Sequence, residues 1–541
     1  MKPNEIRFNR DFFLQNIQAV QEWDLIIIGG GATGLGTALD SALRGYKTLL
    51  LDQTDFAKGT SSRSTKLVHG GVRYLAQGDV ALVYEALKER QLLFKNAPHV
   101  VREQEFIIPC YNLFSKFMYL VGLTLYDLLA GSRGFKRSKF LSAKKVLEAI
   151  PGLNHKNLKG GIRYSDGQFD DARLAINLAQ TCAENNGVLL NYMKVTKLLK
   201  NGKKINGVEA IDLENGALHN LKAKVVINAT GVFVDDILKM DVPAGKPIVR
   251  PSQGVHVVLN LSFLGGKSAL MIPKTDDGRV LFAVPWHGNL LVGTTDTPLN
   301  EHNLEPVALE QEIAFILNTA AKYLTKQPKR EDVLSVFAGL RPLAAPGKDT
   351  NSTKEISRSH KLIVSASGLI TITGGKWTTY RKMAEDVVDK AIPVAGLKPV
   401  ACVSKSTPIH GYVSNYNSEK LSVYGSDAAK INQLAAAQPA LNQPLAKGYE
   451  PTMAEALWAI RYELARTIED VLARRLRVLF LDARAAIKMA PAVADLLASE
   501  LNYNTEWKEK QLQTFIKLAN QYLLKPYYPG VKEDVNPQMI T

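Results

Sequence analysis

The chain has 541 residues, with 67 Lys+Arg against 52 Asp+Glu for a formal charge of +15. Hydrophobic residues at 46% and charged residues at 22% exclude a disordered, collagen-like or disulfide-scaffold chain. At about 150 residues per domain the length allows three or four domains. Cys110, Cys182 and Cys402 are too dispersed for a CxxC motif, so a reducing compartment is expected and no metal is indicated. The opening residues carry charge throughout rather than forming a basic-then-apolar leader, which points to the cytoplasm. Basic residues are scattered among acids without any nucleic-acid-binding motif. That argues against a nucleic-acid partner and leaves an anionic membrane surface or anionic substrates to account for the charge.

In chain order, Asp11 to about Val20 has helical periodicity with Asn9 as its cap. Asp24–Ile28 is a short apolar strand, Ala32–Arg44 a helix stopped by Gly45, and Lys47–Asp52 a second strand, which together make a βαβ unit. Phe117–Ala130 is the longest nearly apolar stretch and is followed by Arg133, Lys136, Arg137 and Lys139. It is too short to span a bilayer, so it reads either as a helix lying in a lipid interface or as a buried core helix. Asp170 and Asp171 are expected to cap a helix starting at Ala172. Val188–Val195, Gly207–Leu213 and Leu221–Asn228 read as strands separated by Asn-Gly turns. Val255–Leu259, Val280–Val284 and Leu290–Gly293 extend the strand-rich character. From about residue 400 the chain turns helical, with long helices expected over Met453–Leu481 and Tyr503–Leu524.

Gly29, Gly31 and Gly34 form G-x-G-x-x-G where the first strand turns into a helix, and Asp52 closes the next strand about 18 residues later. Glycines let the backbone approach a pyrophosphate, and the helix N-terminus through Ala32 and Thr33 adds amide donors and partial positive charge. The Asp52 carboxylate can accept ribose hydroxyls while repelling a phosphorylated ribose, so the ligand is FAD or NAD rather than NADP. The segment Gly59–Tyr74 replaces a further βα unit and is rich in hydroxyl and basic side chains, among them Thr60, Ser61, Ser62, Thr65, Lys66 and His69. Such a loop suits a phosphate or a flavin. The strand-to-turn segment Val225–Gly231, with Ala229, Thr230 and Gly231, and the strand-to-helix segment Ile370–Arg381 resemble flavoprotein loops that close over FAD.

Together Gly29–Gly34, Ser61–Tyr74, Arg341-Pro-Leu343 and Gly374–Arg381 resemble the FAD-dependent, quinone-linked glycerol-3-phosphate dehydrogenases. Thr467–Ala483 is similar to that family's helical C-terminal domain. The resemblance implies an α/β fold: an FAD-binding Rossmann-like domain of the glutathione-reductase/D-amino-acid-oxidase type, an inserted β-rich substrate domain and an α-helical C-terminal domain. The expected boundaries are 1–110, 160–250 and 335–398 for the FAD-binding unit, 111–159 and 251–334 for the substrate unit, and 399–541 for the helical unit. The implied reaction is oxidation of sn-glycerol 3-phosphate to dihydroxyacetone phosphate, with electrons passed to ubiquinone or menaquinone. The protein would lie peripherally on the inner face of the cell membrane, with a homodimer left open. An oxygen-using glycerol-3-phosphate oxidase, or a flavin amine or amino-acid oxidase, is the alternative.

The site residues follow from the resemblance and from the chemistry required. Arg73 and Tyr74 match the family's phosphate-side pair, with a guanidinium fork and a phenol suited to a phosphoryl group. Arg341, between a glycine turn and Pro342, is expected in a rigid loop holding the reacting oxygen. Lys376, after Gly374 and Gly375 at a helix start with Thr378 beyond it, stabilises negative charge on the flavin side and contributes to substrate binding. His256, opening a strand, is the candidate base, since an unperturbed imidazole accepts a proton near neutrality. His69 beside Gly70-Gly71 competes for contact with the flavin, and Val195 joins the expected cofactor contacts.

Overall fold

A computed structural model describes residues 8–71, 79–131, 135–275, 278–344, 360–414 and 420–529. Arg73, Tyr74 and Arg133 lie outside the described residues.

Two sheets organise the chain. The first runs Lys361–Val364, Ile370–Thr373, Leu218–Asn228, Trp23–Ile28, Thr48–Leu51, Val188–Leu190. Its central strands are parallel: Leu25 lies opposite Val225 on one side and Thr48 on the other. Where they pair, the segments Leu25–Ile28, Leu49–Leu51 and Val225–Ile227 are apolar and buried, as in parallel sheets covered on both faces. Leu25, Ile26 and Ile27 are fully buried. Helix Ala32–Leu43 lies close to the sheet through Ala38 and Ala42, and Gly36 makes room for the Tyr380 ring of helix Tyr380–Val394. Strand Leu218–Asn228 belongs to two layers. Its first half pairs antiparallel with Lys204–Asp212, which pairs with Met193–Asn201, and its second half continues into the parallel sheet. The expected strand Val188–Val195 is two strands, because Tyr192 between them has φ +55 and breaks the extended run.

The second sheet runs Thr297–Pro298, Val249–Asn260, Asn289–Gly293, Leu281–Trp286, Ala269–Ile272, Val101–Cys110, Gly160–Phe169, Leu67–Val68, and Ser335–Ala344 pairs along Val249–Asn260. Val101–Cys110, Gly160–Phe169 and Ser335–Ala344, which sequence reasoning grouped with the nucleotide-binding unit, therefore hydrogen-bond within this sheet. Leu67–Val68 lies at its end, so the chain passes from the nucleotide fold into the second sheet through the loop that precedes Leu67.

The C-terminal part is helical, with one departure from expectation. Met453–Leu481 is not one helix: Met453–Tyr462 ends at Glu463, Leu464 has φ +55, and a π-helical turn at Asp470–Arg475 leads to Arg477 at φ +65 before Val478–Leu481. The breaks turn Glu463, Arg474, Arg475 and Arg477 inward, where each pairs with an oppositely charged group of the chain's first half or of the same segment. Helix Ala483–Leu501 then packs on Thr505–Asn520.

Helix Leu113–Ala130 is two-faced. Leu123, Tyr126 and Ala130 are buried, whereas Phe117 is 70% and Leu128 72% exposed, with Met118, Val121 and Leu125 on the same outward face. Lys136, Arg137 and Lys139 beyond its end are exposed. Among the described residues no helix is long and apolar enough to cross a membrane.

Candidate active site

A cavity of about 420 Å³ opens where the first parallel strand meets its helix. Gly29, with φ +109, would drive a Cβ to 2.7 Å from Ala229 O, and a Cβ on Gly34 would stand 1.8 Å from Gly29 O. The turn therefore has room only for hydrogen at these positions, and the backbone can lie against a ligand. Asp52 is half-buried at the cavity wall, where its carboxylate accepts from Gly30 N at 2.5 Å and Thr54 N at 2.7 Å. Burial pushes its proton affinity above the ordinary carboxylate range, against the lowering effect of those backbone donors. The wall also includes Gly31, Ala32, Thr33, Thr60, Ser61, Val195, Ala229, Thr230, Gly231, Gly374, Gly375 and Lys376. Ser61 Oγ accepts from Ala32 N at 2.9 Å, and Trp377 Nε1 donates to Ser61 O at 2.9 Å, which fixes the Thr60–Ser62 turn between the glycine turn and the Gly374–Trp377 segment. This donor set, with its tight glycines and a carboxylate at the ribose end, fits FAD.

A second cavity of about 210 Å³ shares Thr60, Pro342, Gly374, Gly375, Lys376 and Trp377 with the first. Its own wall holds Arg63, Thr65, His69, His256, Arg341 and Thr378. Thr378 Oγ1 accepts from His69 N at 3.3 Å. Arg341 is not in a loop. It lies within strand Ser335–Ala344, opposite Ser252, where ladder pairing on both neighbours fixes its backbone. Its Nη2 donates to Thr294 Oγ1 at 3.0 Å and to Thr295 O at 3.1 Å, and Asp296 lies 3.5 Å from Nη1. His256 sits inside strand Val249–Asn260 rather than at its opening, 2% exposed. Its Nε2 pairs with Thr65 Oγ1 at 3.0 Å, and its Nδ1 has no hydrogen-bond partner among the described residues. Its ring stacks on Phe337 at 5.1 Å and 19°. Burial, then Lys66 and Arg341, hold its proton affinity well below that of an ordinary imidazole.

Two expected cofactor contacts are engaged elsewhere. Lys66 is fully buried, with Nζ on Asp171 Oδ2 at 2.7 Å and Ser62 O at 2.6 Å, and Ser62 is buried beneath the turn. The φ of +64 at Lys66 turns the side chain away from its neighbours Thr65 and Leu67, which do face cavities. Sequence reasoning missed the Thr294–Asp296 anchor of Arg341. It also missed Arg63, whose guanidinium is held by Glu305 at 2.7 Å and by Ala338 O. The polar run Thr294-Thr295-Asp296 directly after a buried strand was the available signal for the first. The second pairs residues 242 positions apart and left none.

Residues 24–381 match the FAD dependent oxidoreductase family, and residues 368–510 match the C-terminal domain of alpha-glycerophosphate oxidase. The mitochondrial glycerol-3-phosphate dehydrogenase of Schizosaccharomyces pombe is 38% identical over 93% of this chain and 88% of its own. The human mitochondrial enzyme is 39% identical over 94% and 74%. The chain belongs to the FAD-dependent glycerol-3-phosphate dehydrogenases. The Bacillus halodurans glycerol-3-phosphate dehydrogenase, solved with FAD, superposes with a TM-score of 0.78 at 29% identity, covering 97% of this chain and 99% of that one. The L-alpha-glycerophosphate oxidase of Mycoplasma pneumoniae shares the fold, with a TM-score of 0.54 over 72% of this dehydrogenase chain and 98% of its own. The expected FAD-binding fold with a helical C-terminal region is thus that of the family.

Proposed function

We propose that this dehydrogenase oxidises sn-glycerol 3-phosphate to dihydroxyacetone phosphate and delivers the electrons to ubiquinone or menaquinone at the inner face of the cell membrane. The observation that supports the reading is the wall the two cavities share, through Thr60, Pro342, Gly374, Gly375, Lys376 and Trp377: a three-carbon phosphate held in the smaller one would lie beside a cofactor held in the larger. FAD, when bound, supplies the acceptor for the hydride leaving the carbinol carbon. Gly29, Gly31, Asp52, Ser61 and Ala229–Gly231 would hold it, with Val195 and Gly375 closing the wall and Gly34 packed beneath the glycine turn.

Arg341, rigid in its strand and tied to Thr294 and Thr295, holds the substrate oxygen as the carbonyl forms. Lys376, at the start of the turn Trp377–Thr379, places positive charge on the wall common to both cavities. His256 accepts the hydroxyl proton at Nδ1 while Thr65 Oγ1 accepts from its Nε2–H. The depressed proton affinity of His256 keeps it neutral and able to accept. Arg73 and Tyr74 are assigned to the phosphate. The exposed apolar face of Leu113–Ala130, flanked by Lys136, Arg137 and Lys139, rests in the lipid interface, where a lipid-soluble quinone is reached.

The test is anaerobic bleaching of the purified yellow protein. sn-Glycerol 3-phosphate should bleach it within one turnover, and quinone in vesicles should restore the colour. Bleaching by amino acids but not by the phosphate, or reoxidation by oxygen faster than by quinone, would overturn the assignment.

A further inference from the structure

Two facing glycines lie between the groups assigned to the chemistry. Side chains on a strand alternate faces, so Ser252, Gly254 and His256 share one face of Val249–Asn260, and Gly254 and His256 both line the smaller cavity. Across the ladder Ser252 lies opposite Arg341, Gly254 opposite Gly339 and His256 opposite Phe337. The bare pair Gly254–Gly339 therefore separates Arg341, assigned to the substrate oxygen, from His256, assigned to its proton.

The Arg341 guanidinium occupies that gap. A Cβ at Gly254 would stand 2.3 Å from Arg341 Nη2, 2.7 Å from Cζ and 2.7 Å from Thr294 Oγ1. The guanidinium thus leans from its place opposite Ser252 over Gly254, in the direction of His256. Its bracket is itself tied to the sheet: Thr294 Oγ1 and Thr295 O accept from Nη2, Thr295 Oγ1 accepts from Val255 N at 3.0 Å and donates to Glu312 Oε1 at 2.8 Å, and Asp296, beside Nη1, accepts from the Ser252 hydroxyl. The main chain at Gly254 has no need of glycine. It runs within the strand rather than in the left-handed region, so alanine suits it, and the three atoms nearest an added Cβ all belong to side chains. At Gly29, Gly34 and Gly293 a Cβ would meet backbone carbonyl oxygens, so Gly254 is the one of the four whose substitution spares the main chain.

We infer that Gly254 is a positioning residue for the oxidation: the hydrogen it carries in place of a side chain admits the Arg341 guanidinium between Ser252 and His256, where it reaches the substrate oxygen beside the group that takes the proton. This rests on Arg341 holding that oxygen. Ordinary contact between such atoms begins at about 3.5 Å, so an alanine methyl would push the guanidinium aside by about 1 Å. The group displaced is the end of a flexible side chain, which costs the fold little, whereas a misplacement of about 1 Å at the reacting centre can cost about 100-fold in rate. Gly254 therefore acts on the reaction and not on the stability of the sheet.

The experiment is a double-mutant cycle on the FAD-loaded protein, assayed with sn-glycerol 3-phosphate and a soluble dye. Gly254→Ala should keep the wild-type flavin content and thermal midpoint and lower kcat by about 10- to 100-fold, with KM changed far less. In the Arg341→Ala background the same substitution should change kcat and KM by no more than about twofold, because the group it displaces is gone. A wild-type kcat in Gly254→Ala, or an equal loss in both backgrounds, would overturn the inference. So would a raised KM with unchanged kcat, since the Cβ would then occupy substrate space instead of moving Arg341. Loss of flavin or failure to fold would overturn it as well, because only side-chain atoms stand in the way of that methyl group. Arg341→Ala with wild-type kcat would instead remove Arg341 from the mechanism, whatever Gly254→Ala does.

Discussion

Arg477 Nη2 donates to Asp171 Oδ1 at 2.8 Å across 306 positions of sequence, with both side chains 2% exposed or less. The bond joins the C-terminal helices to the helix Asp171–Glu184 that packs on the nucleotide-binding helix, and through Asp171 to the Ser64–Lys66 loop between the two cavities. A second set of contacts runs beside it: Asp55 takes Arg474 and Arg475, and Lys58 takes Glu469. The helical part of the chain thus fixes the loop that carries Thr60, Ser61 and Thr65. Removing one partner of a buried pair leaves an uncompensated charge and costs about 3–5 kcal/mol. Arg474→Met should accordingly lower the thermal midpoint by many degrees and loosen FAD. Differential scanning fluorimetry with and without added FAD reads both, and an unchanged midpoint would show the pairs to be ornamental.

Flavin binding is expected to depend on Gly29 and Gly34, where a methyl group has no room. Gly34→Ala must displace Gly29 O, 1.8 Å from the new Cβ, and with it the turn that approaches the pyrophosphate. The variant should purify colourless, whereas Gly122→Ala, with nothing within 4 Å of the added Cβ, should purify yellow. In wild type, acid precipitation should release all the flavin into the supernatant, since no covalent tether is expected. Colour in the pellet would contradict this.

Arg341 and Lys376 are assigned to stabilising charge in the transition state, not to holding FAD. Arg341→Ala and Lys376→Ala should each lose about two to three orders of magnitude in kcat while absorbance at the flavin band stays near wild type. Loss of flavin from either variant would assign that residue to the cofactor, and wild-type kcat would take it out of the mechanism.

Among its described side chains, helix Leu113–Ala130 exposes one apolar face. Phe117, Val121 and Leu128 changed together to Ser should release the protein from anionic vesicles and leave dye-linked turnover intact. High salt alone should release it partly, because screening weakens only the contribution of Lys136, Arg137 and Lys139. Leu123→Ser should instead destabilise the fold, since that side chain is 1% exposed in an apolar cluster. Co-sedimentation and thermal melting separate the two outcomes.

His410 ties the connection into the C-terminal part to helix Asp171–Glu184, with Nδ1 2.5 Å from Glu184 and Nε2 2.7 Å from Asp427. Burial disfavours its charge, but the two carboxylates outweigh burial and raise its proton affinity to about 9. Its folded value lies above the unfolded one near 6.5, so its stabilisation is complete below pH about 6.5 and is lost as pH rises through 9. His410→Gln should cost about 2–3 kcal/mol at pH 6 and almost nothing at pH 10. Urea melts at the two pH values test this, and equal losses at both would refute it.

Sequence alone settled the features governed by short spacing. The G-x-G-x-x-G turn, Asp52 at the end of the next strand, the Asn9 cap and the glycine pair before Lys376 are each decided within about 20 residues, where backbone sterics and local hydrogen bonds dominate. The family resemblance carried the reading to the FAD-dependent glycerol-3-phosphate dehydrogenases. Tertiary structure decided where side chains at a distance go. Lys66 reads as a loop cation for a phosphate, yet a left-handed backbone and the aromatic rings of Trp286, Phe337 and Phe480 take it into the core. Arg341 reads as a loop residue because Gly and Pro flank it, yet pairing with Ser252 makes it a strand residue. Met453–Leu481 has helical periodicity throughout, but pairing Glu463, Arg474, Arg475 and Arg477 with partners far away in sequence breaks it at Leu464 and Arg477. A buried charge must find a counter-charge, wherever in the chain that lies, and the cost of leaving it unpaired, about 3–5 kcal/mol, exceeds the few tenths of a kcal/mol per residue by which local propensity favours a continuous helix.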